Sequence, residues 1–179
     1  GQSGGGSSLN ISNAKHCFKN TENGEKYMTA ERSEFANSGN TGNISIAIDG
    51  PAGAGKSTIA KEISKRLSIT YVDTGAMYRA IGLKAMRMGI DPADARRVVP
   101  MLDGTNVSIE YIDGVQHVLL DGEDVSGLIR TEEVSHYASV ISTIPEVRKK
   151  LVELQRALAR VRNVVMDGRD ICSYVLPDA

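Results

Sequence analysis

Cysteine, histidine and long apolar runs are all scarce in this chain, and each scarcity removes a class of function. Only Cys17 and Cys172 are cysteines among 179 residues. Two distant thiols build neither a disulfide framework nor a zinc cluster, so a reducing compartment, the cytoplasm, is the expected location. His16, His117 and His136 are equally scattered, and their spacing offers no His-rich metal site. No stretch approaches the roughly 18 consecutive apolar residues of a membrane span. The first residues lack the basic-then-apolar order of a secretory signal. Nor does one charge dominate: 21 Lys+Arg stand against 22 Asp+Glu, a net charge of −1. A general nucleic-acid or anionic-membrane binder carries a basic surplus instead. What is present, 41% hydrophobic and 24% charged residues, amounts to about one domain with material for a sizeable core.

Residues 1–42 differ from the rest. They hold seven glycines, both phenylalanines and many Ser and Asn, and their apolar residues are isolated. A segment of this kind buries too little surface to offset its ordering entropy, so it is read as a disordered tail opening on a linker-like Gly1–Ser8. Met28 is a candidate start, with residues 1–27 then a translated leader. From residue 43 the pattern is that of an α/β domain. Ile44–Ile48 reads as a buried parallel strand, followed by a Gly-rich turn and a helix over 58–67 with Ile59, Ile63 and Leu67 at helical spacing. Ile69–Val72 reads as a strand and 75–88 as a helix with Met77, Ala80, Ile81, Ala85 and Met88 on one face and Gly89 as its stop. Asp91-Pro92 is expected to open a helix to about Leu102.

The period then changes. Val107–Ile112 and Val115–Leu120 flank Asp113-Gly114, a strong hairpin signal, and Asp121-Gly122 marks a second turn. This antiparallel piece interrupts a β–α alternation, so residues 101–142 are read as an inserted subdomain. Helices are expected at about 131–142 and 145–161, the second with Pro145 at its start and Val147, Leu151, Leu154, Leu158 and Val161 on one stripe. Asn163–Met166 reads as another buried strand, ending at Asp167-Gly168.

The sharpest chemical signal is Gly50-Pro51-Ala52-Gly53-Ala54-Gly55-Lys56-Ser57, with Thr58 behind it, which fits G-x-x-x-x-G-K-[ST] between a strand and a helix. Glycines let backbone N–H groups converge on phosphate oxygens, and the helix N-terminus adds its positive dipole end. Lys56 is a cation for the β- and γ-phosphates, and the Ser57 hydroxyl is a Mg²⁺ ligand. GTPases, motor ATPases and small-molecule kinases share such a loop. Guanine-reading N-K-x-D is absent from the sequence and the length is short for a mechanical ATPase, which leaves a small kinase.

Further residues gather where ligands of open parallel sheets bind, beyond the carboxyl ends of strands. Asp73-Thr74-Gly75-Ala76-Met77-Tyr78-Arg79 spans a strand end and a helix start, where Asp73 or Thr74 can cap the helix and Arg79 can hold phosphate bidentately. Asp167-Gly168-Arg169-Asp170 follows the last strand, and Arg130, Ser139 and Arg148 lie on or beside the two helices after the insert. For each of these a solvated or structural role is the alternative.

Five stretches together, Ile48–Ser57, Asp73–Arg79, Gly122–Ser126, Ile129–Val134 and Val165–Asp170, closely resemble bacterial cytidylate kinase in order and spacing, over about 44–179. The resemblance implies the nucleoside-monophosphate-kinase fold: a parallel sheet flanked by helices, an enlarged acceptor-binding insert and a mobile lid. It implies transfer of the ATP γ-phosphoryl to CMP or dCMP with Mg²⁺, giving CDP or dCDP, by a cytoplasmic monomer with no nucleic-acid or membrane partner. By that resemblance Lys56, Arg79 and Arg169 serve catalysis. Arg79 and Arg169 hold the CMP phosphate with Thr74 nearby, and Tyr78 lines the acceptor pocket. Ser139, Arg148 and Asp170 face cytosine, and Asp167 orients Mg²⁺ waters. Arg148 can donate to cytosine O2 and N3 while Ser139 or Asp170 accepts from N4. Uracil reverses that polarity without adding a methyl group, which makes UMP the expected weak substrate.

Two departures qualify the expectation. After Asp170 the family continues Ile-Gly-Thr, whereas this chain has Ile171-Cys172-Ser173, a lost glycine that matters where the backbone needs a positive φ or approaches a ligand closely. The family also continues beyond this length with a further strand, an Arg-rich lid and closing elements. The 179 residues therefore read as an N-terminal part of a kinase, with poor solubility and weak or absent turnover expected of that part alone. The alternatives are an inactive nucleotide-binding fragment and a kinase for another small acceptor.

Overall fold

The computed structural model describes residues 43–51 and 53–179. The expected tail at 1–42, with Cys17 and the candidate start Met28, lies outside the described residues, as does Ala52. Three strands, β1 (Ser45–Asp49), β2 (Thr70–Asp73) and β6 (Val164–Gly168), form a parallel sheet in the order β1-β6-β2. Val164, Val165 and Met166 of the central strand are fully buried, as suits a parallel strand covered on both faces. The β1 segment is less enclosed than expected: Ile44 precedes the strand at 39% exposure, and only Ser45 and Ile46 of β1 are buried. Its place at the edge of the described sheet is the reason. Register sets Asp49 beside Gly168 and Asp73 beside Asp167, so the strands end level and their terminal carboxylates gather on one rim.

Helix α1 (Lys56–Leu67) follows β1 and lies against β6, while α2 (Thr74–Arg87) follows β2. The α1 pattern is only partly as read. Ile63 and Leu67 pack on the core, but Ile59 is 53% exposed, and Ala60 is the buried residue of that turn. The chain leaves α2 at Gly89 as expected, with Met88 exposed rather than on the buried face. Helix α3 (Ala95–Asp103) begins later than Asp91-Pro92, because Asp91 accepts from the Ala93 N–H at 2.9 Å to make a turn and Asp94 is the N-cap.

The insert is as legible as its turns. Strands β3 (Val107–Ile112) and β4 (Val115–Leu120) pair antiparallel with Ile112 opposite Val115, and β5 (Glu123–Asp124) adds a short third strand. Both connecting pairs are left-handed, Asp113-Gly114 at φ 50° and 76° and Asp121-Gly122 at 51° and 88°, the combination a type I′ turn requires. Helix α4 (Glu132–Ile141), capped by Thr131, crosses α2 so closely that a Cβ on Gly82 would lie 2.9 Å from the Ala138 nitrogen.

Helix α5 (Pro145–Val161) starts on Pro145 as expected, but its buried face is rotated. Val147, Leu151, Val152, Gln155 and Ala159 face inward, while Val161 is 66% exposed. Gln155, 1% exposed, directs its amide nitrogen at the Met77 sulfur, 3.7 Å away. A polar residue inside the stripe hid the true face from a hydrophobicity pattern. After β6 the chain makes a π-helical turn, Ile171–Val175. No helix among the described residues is long and apolar enough to cross a membrane.

Candidate active site

The phosphate loop turns between β1 and α1 through Gly53 and Gly55, at φ 77° and 75°. Side chains rarely adopt this left-handed backbone, and glycine takes it without cost. Gly55 is the N-cap of α1 and no side chain caps the helix, so its first-turn amides face the loop. Lys56 Nζ donates to the Pro51 carbonyl at 2.6 Å, closing the loop on itself.

Ser57 in the first turn of α1 reaches the end of β6, where its hydroxyl donates to Asp167 Oδ2 at 2.6 Å. Tyr71 of β2 donates to the other oxygen, Oδ1, at 2.9 Å, and Thr74 Oγ1 donates to the Asp167 carbonyl at 2.7 Å. Asp167 is 5% exposed, and no Lys or Arg pairs with it among the described residues. Burial, followed by the charges of Asp73 and Asp167, pushes the Tyr71 phenol far above its ordinary range, so it remains a donor. Sequence reading missed Tyr71; only its place one strand over from Asp167 gives it a role. Gly168 has to be small: a Cβ there would overlap Thr74 Oγ1 and lie 2.9 Å from Ile171 Cδ1.

Asp73 proves to be more than a cap. Its Oδ1 accepts from the Ala76 N–H at 2.9 Å, as an N-cap does. Its Oδ2 holds Arg79 at 3.0 Å and Arg130, from the insert, at 3.6 Å. Arg79 Nε is buried without a hydrogen-bond partner among the described residues.

A third cluster sits at the start of α5 and the end of β6. Arg148 pairs with Asp170 Oδ2 at 3.1 Å and lies 5.6 Å over the Tyr174 ring. Tyr78 belongs to the same neighbourhood. Burial raises its hydroxyl above the ordinary value, Arg148 pulls it back, and Asp170 and Tyr174 push it up. Arg169 is exposed and makes no hydrogen bond or ion pair among the described residues. Ser139 is exposed on α4, and its carbonyl accepts from Ser142 Oγ at 2.7 Å. Tyr78, Arg148 and Asp170 are thus brought together, and no hydrogen bond among the described residues joins Ser139 to them.

The strain expected at Cys172 does not occur. The left-handed residue of this turn is Asp170, at φ 58°. Asp49, at the end of β1, accepts from the N–H groups of Ile171 at 2.6 Å and Cys172 at 2.9 Å. Burial and the Asp49 charge raise the Cys172 thiol above its usual value, the opposite of a reactive thiolate.

The comparisons with known proteins agree with this layout. The family model described as cytidylate kinase matches residues 46–179. The chain belongs to the cytidylate kinase family. A cytidylate kinase from Caldicellulosiruptor bescii is 54% identical over 136 residues, 76% of this chain and 60% of the relative. That from Caldicellulosiruptor saccharolyticus is 56% identical over 136 residues, with the same coverage. The enzyme from Symbiobacterium thermophilum is 53% identical over 140 residues, 78% of this chain and 62% of the relative. The chain thus spans about three fifths of the length of these cytidylate kinases.

Proposed function

We propose that this chain carries the nucleotide-binding and acceptor-binding parts of a kinase that transfers the ATP γ-phosphoryl to CMP or dCMP, giving ADP and CDP or dCDP. One observation carries the reading. A phosphate loop tied to Asp167 through Ser57 stands on the same sheet rim as the Arg79–Asp73 and Arg148–Asp170 pairs. Donor phosphates and an acceptor nucleotide then meet over the strand ends. The curated relatives carry the same function in their name.

On this reading residues 50–58 wrap the ATP phosphates, and Lys56 leaves the Pro51 carbonyl to meet them. Arg79 and Arg169 hold the CMP phosphate beside Thr74, and Tyr78 lines the pocket. Arg148 donates to cytosine O2 and N3, with Asp170 or Ser139 accepting from N4. A phosphate oxygen of CMP attacks the γ-phosphorus and ADP leaves. The work is positioning and charge neutralisation, so no strong protein base is needed. The Ser57 and Asp167 oxygens are hard donors, and Asp167 is buried without a cation partner among the described residues. That set fits Mg²⁺, held by Ser57 with Asp167 acting through water. Bound there, Mg²⁺ neutralises the β- and γ-phosphate charge. The same reading makes residues 101–142 the acceptor-binding insert of a domain over 43–179, and the protein a cytoplasmic monomer.

The test is ADP production with ATP and Mg²⁺ across CMP, dCMP, UMP and AMP. For the kinase as a whole the expected result is turnover with the cytidine nucleotides, weak turnover with UMP and none with AMP, and for these 179 residues alone the same order of acceptors at a much lower rate. Equal turnover with AMP overturns the cytosine assignment, and binding of ATP without turnover makes this chain a nucleotide-binding part only.

A further inference from the structure

Strand β2 is an edge strand of the described sheet. Parallel pairing turns alternate residues to opposite sides. Thr70 gives its N–H to the Asn163 carbonyl beside β6, so Tyr71 and Asp73 present their backbone groups outward. Exposed edge groups of this kind are usually paired, blunted or hydrated. Here side chains of the insert cover three of them. Tyr111 donates its hydroxyl to the Tyr71 carbonyl at 3.0 Å. Gln116 Oε1 accepts from the Asp73 N–H at 2.8 Å, and Gln116 Nε2 donates to the Asp73 carbonyl at 3.3 Å. One side-chain amide thus replaces a neighbouring strand at a single residue. Gln116 is half-buried on the β4 face it shares with Val118 and Leu120, both buried.

The residue so clamped is the one whose carboxylate carries Arg79 and Arg130. A shift of the Asp73 backbone moves the N-cap of α2 and both guanidinium groups together. We propose that Gln116 is a positioning residue of the acceptor site: its amide fixes the Asp73 backbone, and Asp73 in turn fixes Arg79, which holds the acceptor phosphate, together with Arg130 on the same carboxylate oxygen. This rests on the acceptor reading given above. Gln116 hydrogen-bonds to neither arginine among the described residues and takes no part in the chemistry itself. A polar residue near the start of a strand, in a hairpin that looks purely structural, gives no signal of this in sequence.

The experiment uses the 179-residue chain with Gln116→Met, which keeps the length and removes both hydrogen bonds, and Gln116→Glu, which keeps only the acceptor. Calorimetric dissociation constants are measured for CMP and, separately, for ATP. The expected result is about tenfold weaker CMP binding in Gln116→Met, an intermediate loss in Gln116→Glu, and ATP binding within about twofold. Equal losses for ATP and CMP, or none for either, overturn the proposal. A ligand-free readout separates it from the cytidine assignment: the NMR signal of the buried Arg79 Nε–H. A shift or broadening of that signal in Gln116→Met, with the α2 amides beyond Arg79 unchanged, supports positioning whichever nucleotide the wild type binds. An unchanged signal overturns the proposal even where CMP binds. A wild type that binds UMP or AMP but not CMP overturns the cytidine assignment alone, and the affinity comparison is then made with that nucleotide.

Discussion

The phosphate loop and the proposed acceptor side of this molecule are built in opposite ways. The phosphate loop is nine consecutive residues, 50–58, between one strand and one helix. Its chemistry is local: two left-handed glycines, a lysine and a helix N-terminus, all within one turn of chain. The proposed acceptor side draws Asp73 from the end of β2, Arg79 from α2, Gln116 and Arg130 from the insert, Arg148 from α5 and Asp170 from beyond β6. Asp167 joins the two, accepting from Ser57 on one side and Tyr71 on the other. A contiguous site tolerates shifts in the rest of the fold, whereas an assembled one registers every movement of the elements that supply it.

That contrast can be tested by unequal damage. Lys56→Ala is the largest expected effect, a drop in ADP formation of about 10²–10³-fold from losing a cation on the transferring phosphoryl. Its folding midpoint in urea should hardly move, because the one hydrogen bond of the Lys56 ammonium among the described residues goes to the exposed Pro51 carbonyl. Gly168→Ala works through packing instead. The new methyl meets Thr74 Oγ1 and Ile171 and should destabilise the fold by about 1–3 kcal/mol, read as a lower urea midpoint. An unchanged midpoint would mean that the strand end has slack and the close approach is not required.

Arg148→Ala should weaken CMP binding about tenfold, since it removes one charged hydrogen-bonding partner, and leave ATP nearly untouched. Equal losses would turn the Arg148–Asp170 pair into a purely structural contact. Cys172 gives the smallest effect. A thiol raised above its usual value holds less thiolate at a given pH, so at pH 8 iodoacetamide should label it severalfold more slowly than free cysteine. The labelling rate should keep rising as pH passes the ordinary thiol range. Replacing Asp49 by Asn removes a negative charge beside the thiol and should speed labelling, the sign expected if that charge helps to hold the proton on.

Legibility follows the same division. The hairpin was readable to the residue, because Asp113-Gly114 admits few turn types and strand period does the rest. Pro145 marked the first residue of α5. The face of α5 was misread, because Gln155 is buried where hydrophobicity predicts none and Val161 lies beyond the core. Ile59 was misread because the turn that carries it buries only Ala60. Arg130 looked like a surface arginine, and it is 64% exposed, yet its guanidinium ends at Asp73. Tyr71, Asp49 and Gln116 carried no signal, since each acts on a partner at least 43 residues away in sequence or on another strand's end.

The sequence by itself determined the phosphate loop, the turn-marked hairpin, the Pro145 start of α5 and the acidic ends of the strands. All of these are properties of a few neighbouring residues and their backbone preferences. Only the tertiary structure decided that Asp167 lies under Ser57 and Tyr71, that Asp73 anchors two arginines, and that an amide of the insert covers the edge of β2. Those contacts depend on strand order and register, which set the level at which distant strands end, and no local spacing encodes that level.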